Sequence, residues 1–202
     1  MKIKKRKILI HLGYPKTGST SIQDFVKNIE NENLSKFILQ QENTKSQNDF
    51  IKINKEIFFE EKADLKKWIS YFDLNLKKFN ILSDETFLYP TNYIYVDFNR
   101  TLKRYLEIFE YLNCEIHFLI CVRDPKDLHI SYFNSMYHRI LQYDCRIDNF
   151  KKYIFNMDNN QTINHIFRTF NFNHILKTIQ TLSGSFSLTT NLLASEVNTS
   201  NC

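Results

Sequence analysis

Residues 11–23 read His-Leu-Gly-Tyr-Pro-Lys-Thr-Gly-Ser-Thr-Ser-Ile-Gln, and their chemistry is that of an anion grip. They follow an apolar run, Ile8-Leu9-Ile10, and lead into a helical pattern with Ile22, Phe25, Val26 and Ile29 on one face. A buried strand, a tight glycine-containing turn and a helix start bring first-turn N–H groups and the positive end of the helix dipole to one point. Lys16 adds a mobile cation to these fixed dipoles. The expected guest is a phosphate-bearing nucleotide.

A second stretch has the same strand-to-helix form. Residues 116–122, Ile-His-Phe-Leu-Ile-Cys-Val, are an apolar run of the kind buried on both faces of a sheet. Arg123-Asp124-Pro125 ends it, and a helix is expected from about residue 126 to 141. Pro125 suits the first helical position, where no N–H partner is needed. Arg123 offers a forked pair of donors to a phosphate, and Ser131, eight residues later, a neutral hydroxyl. Asp-Pro alone marks only a turn. A third group, Ser83-Asp84-Glu85, closes a short strand signal at 80–83, and its carboxylates can cap the next segment or take a proton.

The position of the lysine decides which nucleotide is expected. Gly13 and Gly18 have the separation found in the NTP-binding loop Gly-x-x-x-x-Gly-Lys-Ser/Thr, but Ser19 follows Gly18 and the lysine stands at residue 16. Pro15 to Thr20 resembles, at every position, the 5′-phosphosulfate loop of the sulfotransferase family, Pro-Lys-(Ser/Thr)-Gly-(Ser/Thr)-Thr. That loop grips 3′-phosphoadenosine 5′-phosphosulfate. The resemblance implies that Lys16, Thr17, Gly18, Ser19 and Thr20 hold the 5′ end of this donor, Lys16 also neutralising oxygens at the breaking S–O bond. It implies that Arg123 and Ser131 hold the 3′-phosphate, with Ser131-Tyr132 matching the family's Ser-Tyr pair. It further implies Glu85, in a Ser-x-Glu, as the base for an acceptor hydroxyl on a carbohydrate, with Asp84 the nearest rival. No metal is expected, because the transferred group carries less charge than a phosphoryl group and lysine serves the leaving side. The recognisable motifs cover residues 7–140.

Two other readings stay open. One is a magnesium-dependent small-molecule kinase, against which the displaced lysine and the want of a persuasive strand-end aspartate argue. The other is an inactive, truncated nucleotide-binding remnant.

Composition narrows the class without naming a substrate. Hydrophobic residues at 43% place the 202-residue chain among globular proteins, and its length fits one domain. The net charge of +5 suits an anionic substrate. Lys2, Lys4, Lys5, Arg6 and Lys7 read as a solvated leader, and no nucleic-acid fold signature accompanies them. No apolar run approaches a membrane span, and no signal-peptide pattern opens the chain, so a cytoplasmic protein is expected. Cys114, Cys121, Cys145 and Cys202 show no metal-ligand spacing. The first two are expected as reduced core thiols. Of the histidines, His11 suits a packing or supporting role beside the loop and His117 a core position, while His129 and His138 have no motif support.

The elements that must position these groups alternate between helix and strand. Residues 31–55 are polar and read as a short helix and a surface excursion. Residues 56–72 read as one helix with Ile57, Leu65, Trp68, Ile69 and Phe72 inward. A helix over 98–112 buries Phe98, Leu102, Leu106 and Phe109. The order β–α–α–β–α–β–α predicts a three-layer α/β fold, a central, mostly parallel sheet flanked by helices, P-loop NTPase-like. Right-handed crossovers would set the lysine loop and the Arg123 turn on one carboxyl edge. The expected domain spans residues 1–182, with a helix at 161–181. Residues 183–202 read as a disordered or non-native tail with no further strand, in a chain either naturally short or truncated.

Overall fold

The computed structural model describes residues 5–13, 17–38, 45–84, 97–143, 145–155, 172–182 and 190–194. In chain order they form β1 (Arg6–Leu12), α1 (Ser19–Lys27), β2 (Leu34–Ile38), α2 (Lys45–Phe59), α3 (Leu65–Asn75) and β3 (Phe79–Asp84). There follow α4 (Phe98–Tyr111), β4 (Cys114–Val122), α5 (Pro125–Tyr143), α6 (Phe150–Phe155), α7 (Phe172–Leu182) and β5 (Thr190–Ala194). The strands make one five-stranded sheet in the order β2-β3-β1-β4-β5, with every pairing parallel. Helices on its faces complete the predicted α/β architecture.

Side-chain alternation sorts the central strands. Ile8, Ile10 and Leu12 of β1, Leu82 of β3 and Ile116, Phe118 and Ile120 of β4 line one face. Phe50, Ile53 and Ile57 of α2, Trp68 and Phe72 of α3, Leu102, Tyr105, Ile108 and Phe109 of α4, and Ile175 and Ile179 of α7 pack against it in one apolar cluster. A smaller cluster joins Tyr132, Phe133, Met136 and Ile140 of α5 to Ile147 and Tyr153. Tyr132 thus serves packing, and Cys114 and Cys121 lie buried as free thiols.

Several sequence expectations need correction. Residues 34–38, inside the supposed polar excursion, form the edge strand β2, whose apolar residues Leu34, Phe37 and Ile38 do not alternate and stand among Asn, Glu and Lys. The single helix expected over 56–72 is two, because the Asp64 side chain accepts from Lys67 N at 3.1 Å and starts α3 anew. On α1 the inward residues are Ser19, Gln23 and Val26, while Phe25 is 69% exposed. Arg6 and Lys7 belong to β1 rather than to a leader, and Arg6 pairs with Asp73 at 2.7 Å. Within the stretch read as a tail, Thr190–Ala194 is β5, paired with β4 from Phe118↔Thr190 to Val122↔Ala194. Its short apolar run, Leu192-Leu193-Ala194, gains its meaning from the edge of β4 that it covers. Residues 161–171 of the helix expected at 161–181 lie outside the described residues.

The last carbonyls of α2, and one just after it, are served from another helix. Arg104 of α4, 6% exposed, donates to Ile57 O at 2.7 Å and Glu61 O at 3.1 Å, with its guanidinium over the Trp68 ring. Arg100 donates to Phe58 O at 3.1 Å. A cation at that helix end also opposes the negative end of the dipole. Arg104→Met should keep the apolar stem but strand two acceptors, lowering the unfolding free energy by about 2–3 kcal/mol in urea denaturation followed by circular dichroism.

Candidate active site

The site is built where three strands end together. Leu12 of β1 stands opposite Asp84 of β3 on one side and Ile120 of β4 on the other. Neighbouring strands lie about 4.8 Å apart, so the three carboxyl ends form one short edge. From β1 the chain goes through α1 to β2 at one end of the sheet; from β4 it goes on to β5 at the other. The two connections leave for opposite ends of the sheet, so the gap between β1 and β4 is a topological switch point, the place of the candidate crevice. Ligands of open α/β sheets bind at such a point. Arg123 lies three residues beyond Ile120, just past the end of β4 on the same sheet edge.

The two helix starts at this crevice differ. Gly18 is the N-cap of α1 with φ 85°, a left-handed conformation that suits glycine, and its carbonyl accepts from Ile22 N at 3.2 Å. It has no side chain to cap the helix, and the first turn carries no acidic residue. A Cβ placed on Gly18 would meet nothing within 4 Å, so it is the backbone angle and not a neighbour that favours glycine here. At α5, by contrast, Asp124 Oδ1 accepts from Lys126 N at 2.9 Å and from Asp127 N at 3.3 Å. A protein carboxylate already takes the anion position there. The α1 start is therefore suited to receive an outside anion through backbone groups, and the α5 turn to contribute side chains.

Of the predicted loop residues, Thr17 is half-buried, Ser19 buried and Thr20 exposed at the head of α1. Arg123 and Ser131 are both half-buried, Ser131 one turn beyond the inward-facing Leu128. The fold thus brings Thr17, Gly18, Ser19, Thr20 and Arg123 to one edge, with Ser131 further along α5. Lys16 and Glu85 lie outside the described residues. Glu85 directly follows Asp84, the last residue of β3.

Asp84 itself does not serve as an exposed acid. It is wholly buried, and its Oδ2 accepts from Asn54 Nδ2 of α2 at 2.8 Å. Asn54 Oδ1 in turn accepts from the Tyr105 hydroxyl. Burial, and after it the Asp84 charge, raise the Tyr105 pKa well above its ordinary value, so the phenol stays a donor. A strand-end aspartate beside β1 is therefore present after all, but it faces an amide in the core. Asn54 and Tyr105 carry no sequence signal for this place, since neither lies in a motif.

On the opposite face, His11 Nδ1 and Ser83 Oγ share a hydrogen bond of 2.7 Å between paired residues of β1 and β3. His11 is fully buried, and desolvation lowers its pKa from 6.5 to about 4, so the imidazole is neutral near pH 7. His117 is half-buried rather than in the core, its Nε2 3.0 Å from Glu115 Oε1. His129 is half-buried with a pKa lowered by desolvation, and His138 is exposed.

A protein-family model described as a sulfotransferase domain matches residues 5–181. The chain belongs to the sulfotransferase family. No curated protein matches it. As a sulfotransferase it is a transferase that moves a sulfuryl group, and the matched span contains both turns of the crevice. Among the described residues no cluster of His, Cys, Asp or Glu could hold a metal ion, and no helix is long and apolar enough to cross a membrane.

Two measurements follow from this geometry. Gly18→Ala should destabilise the protein by about 1 kcal/mol, through backbone strain alone since a methyl has room; thermal unfolding checks it. Below pH 6.5 the unfolded chain takes up a proton that buried His11 refuses, so stability is full at and above pH 6.5 and falls as pH drops toward 4. The decline in excess of that in His11→Gln should reach about 3 kcal/mol by pH 4 in urea titrations at stepped pH.

Proposed function

We propose that this sulfotransferase uses 3′-phosphoadenosine 5′-phosphosulfate as donor and sulfates a hydroxyl on a carbohydrate, within a single domain whose sheet includes β5. The observation that supports the reading is the pairing of unlike turns across one crevice: an α1 start with no side-chain cap, and beside it Arg123 at the end of β4. A doubly phosphorylated adenosine has one anionic group for each.

In this scheme the residues from Thr17 to Thr20 donate to the 5′-phosphate, and Lys16 neutralises the oxygens of the leaving side. Arg123 and Ser131 hold the 3′-phosphate, remote binding energy that rejects donors lacking it. The acceptor oxygen attacks sulfur in line. The new S–O bond forms as the bond from sulfur to the phosphate oxygen breaks. Glu85 takes the acceptor proton, and adenosine 3′,5′-bisphosphate departs. The positive balance of the chain favours these anions.

Titration calorimetry with adenosine 3′,5′-bisphosphate tests the donor assignment. Arg123→Ala should weaken that ligand about 10- to 100-fold, the worth of charge-assisted hydrogen bonds, while leaving adenosine 5′-monophosphate affinity unchanged. Equal affinity of wild type and variant for the bisphosphate would remove Arg123 from the site. Lys16→Ala should abolish donor-dependent sulfation of glycan acceptors in a radiolabel transfer assay; full turnover in that variant would overturn the scheme.

A further inference from the structure

The end of β3 is held from both faces of the sheet by buried polar side chains that neither the apolar core nor the donor site requires. On one face Ser83 Oγ is tied to His11 Nδ1 at 2.7 Å. On the other, Asn54 Nδ2 donates to Asp84 Oδ2 at 2.8 Å, and the Tyr105 hydroxyl donates to Asn54 Oδ1. The five residues come from β1, β3, α2 and α4, and none is more than 3% exposed. Their direction is set by chemistry: a carboxylate only accepts, so the amide presents Nδ2 to Asp84 and leaves Oδ1 for the phenol.

Stability alone does not account for this cluster. Apolar side chains of similar volume would avoid the desolvation of five polar groups, which hydrogen bonds only about offset. The buried His11 Nε2 is even left without a hydrogen-bond partner among the described residues, and what the bonds that are made add is a single arrangement. Ser83 and Asp84 are consecutive and point to opposite faces, so ties on both resist twisting of the strand about its axis as well as lateral shift. The next residue in the chain is Glu85.

Resting on the reading of Glu85 as the base, the geometry points to His11, Ser83, Asp84, Asn54 and Tyr105 as a two-sided clamp of positioning residues. It fixes where and in what direction the chain leaves β3, and so the point from which Glu85 meets the acceptor hydroxyl. Donor binding, built on the neighbouring β1 and β4 turns, does not depend on it.

The test uses the full chain with Tyr105→Phe and Ser83→Ala, one change on each face. Ile116→Val, a loss of core volume on β4, controls for general destabilisation. Hydrogen exchange at the amides of residues 83–86 should quicken about tenfold in the two clamp variants and not in the control. In donor-dependent sulfation, kcat should fall about tenfold with donor KM and bisphosphate affinity within about twofold of wild type. Unchanged exchange, or equal quickening in the control, overturns the clamp. Faster exchange with unaltered kcat overturns its positioning role. A wild-type chain that neither binds bisphosphate nor sulfates would instead refute the proposed function, and exchange alone would then decide whether the clamp exists.

Discussion

The parallel register of β3, β1 and β4 is the constraint on which the site depends. Each of these strands finds its backbone partners on both sides, so none can slide without breaking two ladders. A slip of one residue would turn every side chain to the other face, sending His11 into the apolar cluster and Leu12 out of it. The register therefore holds the core and the chemistry together. Because all three strands run the same way, their carboxyl ends coincide, and the connections of β1 and β4 leave that edge for opposite ends of the sheet.

Polar groups near that edge are satisfied in ways suited to different tasks. Asp124 closes the start of α5 with its own carboxylate, while glycine at the start of α1 offers no side chain for the same task. Arg104 supplies, from α4, the cation that the last turn of α2 lacks in its own sequence. The sulfotransferase fold here combines a core held by interlocked aromatic rings, such as Phe72 with Phe37, Tyr105 and Phe109, with a rim of directed polar contacts.

Much of this was legible in one dimension where a local rule decides. Pro15 to Thr20 and the Arg123-Asp124-Pro125 turn each combine an apolar strand with turn chemistry, and the strands and helices around them fall close to the expected limits. The helix at 98–111 shows its apolar stripe plainly. Weak signals failed for physical reasons. The strand at 34–38 is short, partly exposed and set among polar residues, so its pattern does not stand above them. Gln23 faces inward and Phe25 outward because the sheet, not the residue's hydropathy, sets which side of α1 is covered. Periodicity cannot see a partner surface.

By itself the sequence determined the glycine turn before α1, the arginine turn after β4, the alternating element order and hence the α/β class, since each follows from neighbours a few residues apart. Only the tertiary structure decided the strand order, the inward face of α1, the role of Thr190–Ala194 and the burial of Asp84 against Asn54 and Tyr105. Those contacts join residues tens of positions apart. Which of many polar or apolar side chains meets which is settled by packing of whole elements, and that information is spread over the entire chain.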